Sequence, residues 1–175
     1  FITDKDLDSI TNAIKKIKND RKKIELRNSL NHFIGNNLFK KDFYTKDHIE
    51  MIKHLANECI ELNLCSPSFL DEVLEREELS YTSFANSVAV PHSLNLSAYQ
   101  SFLSVVLNNK GMKWGNNIVN IIVMIGTCKT DREAFKKIFD ELIAILYDQN
   151  NVQVLIKCND YDSFISKIIE LMNLD

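Results

Sequence analysis

A chain of 175 residues with 45% hydrophobic side chains can bury one substantial core, which predicts a single compact body rather than several. No apolar run approaches the ~18 residues that span a bilayer, and the opening Phe1-Ile2-Thr3-Asp4-Lys5-Asp6 lacks the order of a signal peptide, so no membrane insertion and a cytoplasmic location are expected. The net charge of −3 is uneven: residues 1–28 carry eight basic and five acidic side chains, a balance of +3, which leaves −6 on the rest, a poor surface for a nucleic-acid backbone.

The chain opens with Leu7, Ile10, Ile14 and Ile17 at alternating three- and four-residue spacing, interrupted at Arg21 and resumed at Ile24. That period predicts an amphipathic helix that either docks on the body or pairs with a second copy, making a homodimer an open alternative. The Lys15–Lys23 cluster reads as its wet side. A start without methionine and a charged first helix suggest a piece of a longer polypeptide. Gly35-Asn36-Asn37 punctuates the chain, placing a boundary between a linker helix region, 1–35, and a domain, 36–175.

A second helix is expected from about Thr45 as N-cap, with Ile49, Ile52, Ala56, Cys59 and Ile60 on one face. Pro67 suits the first turn of a third helix, which carries Arg76 near its end. Ser87 to Val90 reads as a short strand, closed by Pro91, which has no N–H to give a ladder and so exposes His92 at the strand exit. Strands are expected at Phe102–Leu107 and Ile118–Ile125, joined by a turn at Asn108-Asn109-Lys110-Gly111. Helical spacing returns at Phe135, Ile138, Phe139, Leu142, Ile143 and Leu146, then at Tyr161, Phe164, Ile165, Ile168, Ile169 and Met172. Helices before and after central strands make an α/β layered domain.

Cys59, Cys65, Cys128 and Cys158 form no Cys-x-x-Cys pair and sit among apolar neighbours, as free thiols in a reducing compartment would. His48 and His54 are six residues apart, on different sides of a helix, so they read as solvated histidines rather than metal ligands. No cofactor, metal or glycine-rich phosphate loop is expected.

His92 is the residue with chemical promise. Imidazole is nucleophilic near neutral pH, and an arginine such as Arg76 offers a planar fork of donors to a phosphoryl group. The run from Phe69 to His92, with Arg76-Glu77 closing a helix, then Ser80-Tyr81-Thr82 and Asn86-Ser87-Val88-Ala89-Val90-Pro91-His92, resembles the fructose/mannitol-type enzyme IIA domain of the bacterial sugar phosphotransferase system. The likeness spans roughly residues 36–175, taking in Leu38-Phe39, Thr45-Lys46, the Lys110–Gly115 turn and the strand Val119 to Ile125 in family order.

The resemblance implies an α/β fold with a mixed β-sheet flanked by helices on both faces, here with an extra N-terminal helix. It implies that His92 takes a phosphoryl group from the phosphocarrier HPr and passes it to a IIB domain, with Arg76 beside it. Backbone amides near Asn86, Ser87 and Val88 would form the phosphate environment, and Tyr81 and Phe84 a docking face, while Trp114 is assigned to structure. If active in relay, the domain would be a phosphotransferase-type phosphohistidine carrier. Ala85 and Ser87 stand where the family has glycines, which makes any φ > 0 there harder. Ala134 stands at the place of the family's second histidine, so relay should be slow. The missing methionine, the linker-like helix and Ala134 favour the sensory domain of a sugar-operon regulator or antiterminator over a free-standing IIA transport carrier.

Overall fold

The computed structural model describes residues 1–84 and 87–172, Asn36 by its backbone alone. Helix α1 (Asp4–Phe33) is closed at its N-terminus by a reciprocal cap: Thr3 Oγ1 accepts the Asp6 N–H at 3.2 Å, and the Asp6 carboxylate accepts the Thr3 N–H at 2.9 Å. A 3-10 turn (Asn36–Leu38) leads to β1 (Phe39–Lys41), α2 (His48–Glu61), α3 (Phe69–Leu79), β2 (Ser83–Phe84) and β3 (Val88–Ala89). Then come β4 (Phe102–Trp114), β5 (Asn117–Gly126), α4 (Arg132–Leu146), α5 (Gln149–Leu155) and α6 (Tyr161–Leu171).

The five strands form one sheet in the order β1-β4-β5-β3-β2, with β1 parallel to β4, β4 antiparallel to β5, β5 parallel to β3 and β3 antiparallel to β2. It is therefore a mixed sheet, and both faces are covered. Phe39 is in register with Val105, so their side chains share a face, and Phe39 packs on Phe164 of α6 with ring centroids 5.3 Å apart. Phe102, three residues along β4, points the opposite way and meets Phe69 of α3 at 5.6 Å. Burial on both faces explains why Phe102–Leu107 and Ile121–Ile125 read as continuous apolar runs instead of alternating.

Four sequence expectations shift. The α2 N-cap is Asp47, not Thr45: Asp47 Oδ1 accepts the Glu50 N–H at 2.9 Å, while Thr45 Oγ1 donates to the Asp47 carbonyl. The chain does not turn at Asn108–Gly111. β4 runs on to Trp114, and the extra residues form a bulge between Leu107 and Met112 that Gly111 accommodates at φ 70°. Asn108 is taken up by a distant loop, its amide accepting from the Phe43 N–H and donating to the Phe43 carbonyl, both at 2.8 Å. The reversal falls on Gly115-Asn116 between the paired Trp114 and Asn117, where Gly115 at φ 60° supplies the left-handed conformation of a two-residue hairpin. A Cβ at Gly115 would also run into the Tyr81 ring, 2.4 Å away. The third helix starts at Phe69 with Ser68 at the N-cap position, so Pro67 precedes its first turn instead of lying in it. The short α5, capped by Asp148, lies where Gln149-Asn150-Asn151 gave no apolar period to read.

α1 divides into two parts. Leu7, Ile10, Ile14, Ile17 and Ile24 are about half exposed or more, at 49–62%, whereas Leu30, Phe33 and Ile34 lie in the core with Phe33 edge-on to Phe135 of α4. Arg27 donates to Ser166 of α6 at 3.0 Å, so the docked part of the helix begins well before residue 35. No helix among the described residues is long and apolar enough to cross a membrane.

Candidate functional site

His92 stands at the exit of a central strand, as Pro91 requires. β3 pairs with β5 through Val88↔Ile121 and Ala89↔Ile122, and the ladder ends where the Ile125 N–H donates to the Pro91 carbonyl at 3.0 Å and His92 bridges Ile125. The half-buried His92 ring places Nδ1 2.7 Å from the Val90 carbonyl oxygen. A carbonyl can only accept, so Nδ1 carries a proton, and in the neutral ring the lone pair is on Nε2. The backbone thereby chooses the tautomer of the neutral ring.

The backbone behind this contact is braced from α3. The Val90 N–H donates to the Thr82 carbonyl at 3.0 Å. Thr82 is held in turn by the buried Glu77 carboxylate, which accepts from the Thr82 N–H at 3.0 Å, from the Thr82 hydroxyl at 3.1 Å and from Trp114 Nε1. Trp114 is fully buried, in keeping with its structural assignment. One turn before Arg76, Glu72 accepts from Ser93 Oγ and Ser68 Oγ, both at 2.9 Å. Burial alone would raise the Glu72 carboxyl, but hydrogen bonds from Ser68, Ser93 and their neighbours outweigh it and hold the group below its ordinary value.

Between the sheet end and α4 lies a cavity of about 390 Å³ on which His92 opens. Its walls are apolar, made by Val90, Ile125, Phe135 and Phe139. Ser93, Thr127, Arg132, Lys136 and Asp140 complete the lining, and Lys136 pairs with Asp140 at 2.5 Å.

Arg76 is half-buried and does not line this cavity; its Nη1 donates to the Ser80 carbonyl at 2.9 Å and to Ser80 Oγ at 3.3 Å, closing the C-terminal end of α3. Ser87 has φ 69°, the left-handed conformation for which a glycine would be the easier residue, and its N–H is spent on the Phe84 carbonyl at 3.2 Å. Val88 is fully buried, and Asn86 lies outside the described residues. Ala134 is exposed and two residues from both Arg132 and Lys136, about 200° round the helix from each, so it does not share their face. Tyr81 is half exposed over Gly115, and Phe84 stacks on Tyr147 with centroids 5.6 Å apart. Sequence reasoning missed Glu72, which holds Ser93 next to His92, and Arg132, Phe135 and Phe139, which line the hollow with it. The Arg132-x-x-x-Lys136 spacing marks one helix face, but nothing local says which strand end that face meets.

Fold and site together define an α/β domain that presents one histidine of fixed tautomer at the exit of a central strand, above a partly apolar hollow. Residues 32–171 match the sequence model of "Phosphoenolpyruvate-dependent sugar phosphotransferase system, EIIA 2", and the chain belongs to that family. It is 28% identical over 123 residues to the "Probable licABCH operon regulator" of Bacillus subtilis, covering 70% of this chain and 19% of the relative. It is 24% identical over 119 residues to "Transcriptional regulator ManR" of the same organism, covering 68% of this chain and 18% of the relative. The chain thus spans about a fifth of the length of these relatives. Its fold is similar to the crystal structure of IIA mannitol from Escherichia coli, with TM-score 0.66, 16% identity and coverage of 77% of this chain and 98% of that one. It is also similar to the nitrogen regulatory protein IIA-Ntr from Neisseria meningitidis, with TM-score 0.67, 11% identity and coverage of 78% and 97%.

Proposed function

We propose that this chain is a phosphoacceptor IIA-like domain, phosphorylated on His92 by phospho-HPr, that serves as the sensory domain of a sugar-operon transcriptional regulator. The observation that carries the reading is the Nδ1–H contact to the Val90 carbonyl, which leaves Nε2 free at an accessible strand exit. In the transfer, the bond from the donor to phosphorus breaks as Nε2 forms its own bond to phosphorus. The ring then bears positive charge, which the Nδ1–H bond to Val90 stabilises, and no proton needs to leave. Leu94 and Leu96, exposed immediately after His92, give a protein donor an apolar surface beside the acceptor.

Both relatives named above are regulators, which supports the sensory role over that of a free-standing carrier. A IIB domain is a further candidate partner, since a solved complex joins "enzyme IIAMTL and phosphorylated enzyme IIBMTL" from Escherichia coli on a similar fold. Within this reading residues 1–35 are a linker helix region whose last turns dock on a cytoplasmic domain spanning 36–175. Incubation with enzyme I, HPr and labelled phosphoenolpyruvate tests the proposal: wild type should be labelled, and a folded His92→Ala variant should not. Label persisting on His92→Ala refutes it.

A further inference from the structure

We propose that Arg132, in the first turn of α4, is the cation that receives the phosphoryl oxygens once the group sits on His92. The inference rests on the reading of His92 as acceptor. His92 and Arg132 line the same hollow, one from the sheet end and one from the helix across it. A phosphoryl group on Nε2 brings two negative charges against walls made of Val90, Ile125, Phe135 and Phe139, and such a site needs a counter-charge.

The other candidates are committed elsewhere. Lys136 is paired with Asp140, and Arg76, which is not part of the hollow's lining, donates to Ser80 at the end of α3. Ala134, at the place of the family's second histidine, lies off the face of α4 that meets it. Arg132 makes no hydrogen bond or ion pair among the described residues. Its neighbour Asp131 does not neutralise it either: that carboxylate turns inward, accepting from the Ser101 N–H at 2.9 Å and from Ser101 Oγ at 2.5 Å. It also leaves the first turn of α4 without a side-chain cap, so the positive end of the helix adds to the same field.

As the loose transition state forms, charge spreads over the three equatorial oxygens, and a guanidinium fork can hold two of them at once. Arg132 therefore acts on the transfer step more than on capture of the donor.

The test is single-turnover labelling by phospho-HPr, with donor concentration varied, on wild type, Arg132→Ala, Arg132→Lys and Arg76→Ala, with His92→Ala as the blank. Arg132→Ala should lower the saturating rate roughly tenfold at a similar half-saturating concentration, and Arg132→Lys should recover part of the loss. Arg132 is exposed, so its variants should melt as wild type does. An unchanged saturating rate overturns the assignment, as does a rise confined to the half-saturating concentration, which would make Arg132 a docking contact. A loss in Arg76→Ala with none in Arg132→Ala would move the cation to α3. Those results leave His92 standing, whereas unlabelled wild type or labelled His92→Ala removes the acceptor itself.

Discussion

Glu77→Gln should destabilise the fold by about 2–4 kcal/mol, because a shape-conserving change leaves a buried set of donors short of acceptors. Glu77 is 4% exposed, Thr82 5% and Trp114 0%. The carboxylate serves the Thr82 N–H, the Thr82 hydroxyl and the Trp114 indole N–H, none of which has water as an alternative. The amide keeps one acceptor oxygen and turns the other side into a donor. The Thr82 hydroxyl can rotate to accept from it, but with the oxygen kept at Oε1 the Thr82 N–H falls back on its longer 3.3 Å approach, and with the oxygen at Oε2 the Trp114 N–H is orphaned, either at about 1–3 kcal/mol, and the surviving bonds lose their charge assistance. At about 2–4 °C per kcal/mol for a chain of this size, Tm should fall by roughly 5–15 °C. Urea titration followed by circular dichroism measures the change, and a cycle with Trp114→Phe should show coupling of about 1–2 kcal/mol. A Gln variant melting within about 2 °C of wild type would refute the reasoning, because the carboxylate would then not be sustaining the network. The effect should reach His92 only weakly below the melting range, since the Thr82 carbonyl remains in place for Val90.

Two further outcomes concern Glu72 and the exposed part of α1. The folded-state pKa of Glu72 is depressed, so its stabilising contribution is complete above the unfolded value near ~4.3 and is lost as pH falls through the folded value. Glu72→Gln should therefore flatten the fall in Tm between about pH 5 and pH 3, and an acid limb identical to wild type would count against the Ser68–Glu72–Ser93 bonds. Deleting residues 1–24 removes only the exposed part of α1 and should change Tm by less than about 2 °C. A loss of more than about 5 °C in the melt would mean that the Leu7–Ile24 seam is covered in solution.

The change of character within α1 is where local and tertiary information part. The spacing of Leu7, Ile10, Ile14 and Ile17 is enough to predict the helix, but an apolar seam has no address, and the core takes Leu30 and Phe33 instead. The same holds for Asn108, which looks like a turn residue until Phe43, 65 positions away, occupies its amide. Trp114 was legible as a structural residue, yet its partner Glu77, 37 positions away, comes from how the end of α3 meets β4, whereas Arg76 finds Ser80 only four residues on.

By itself the sequence determined the helical periods of α2, α4 and α6, the apolar central strands, the stop at Pro91 and the place of His92 at the strand exit. Each of these depends on neighbours within a few residues, through side-chain period or a missing N–H. Only the tertiary structure decided that the Val90 carbonyl holds Nδ1, that the chain reverses at Gly115-Asn116, and that α4 brings Arg132 to the hollow beside His92. Those outcomes depend on groups far apart in the chain, brought together by burial of a shared core, and no local pattern encodes which face will meet which.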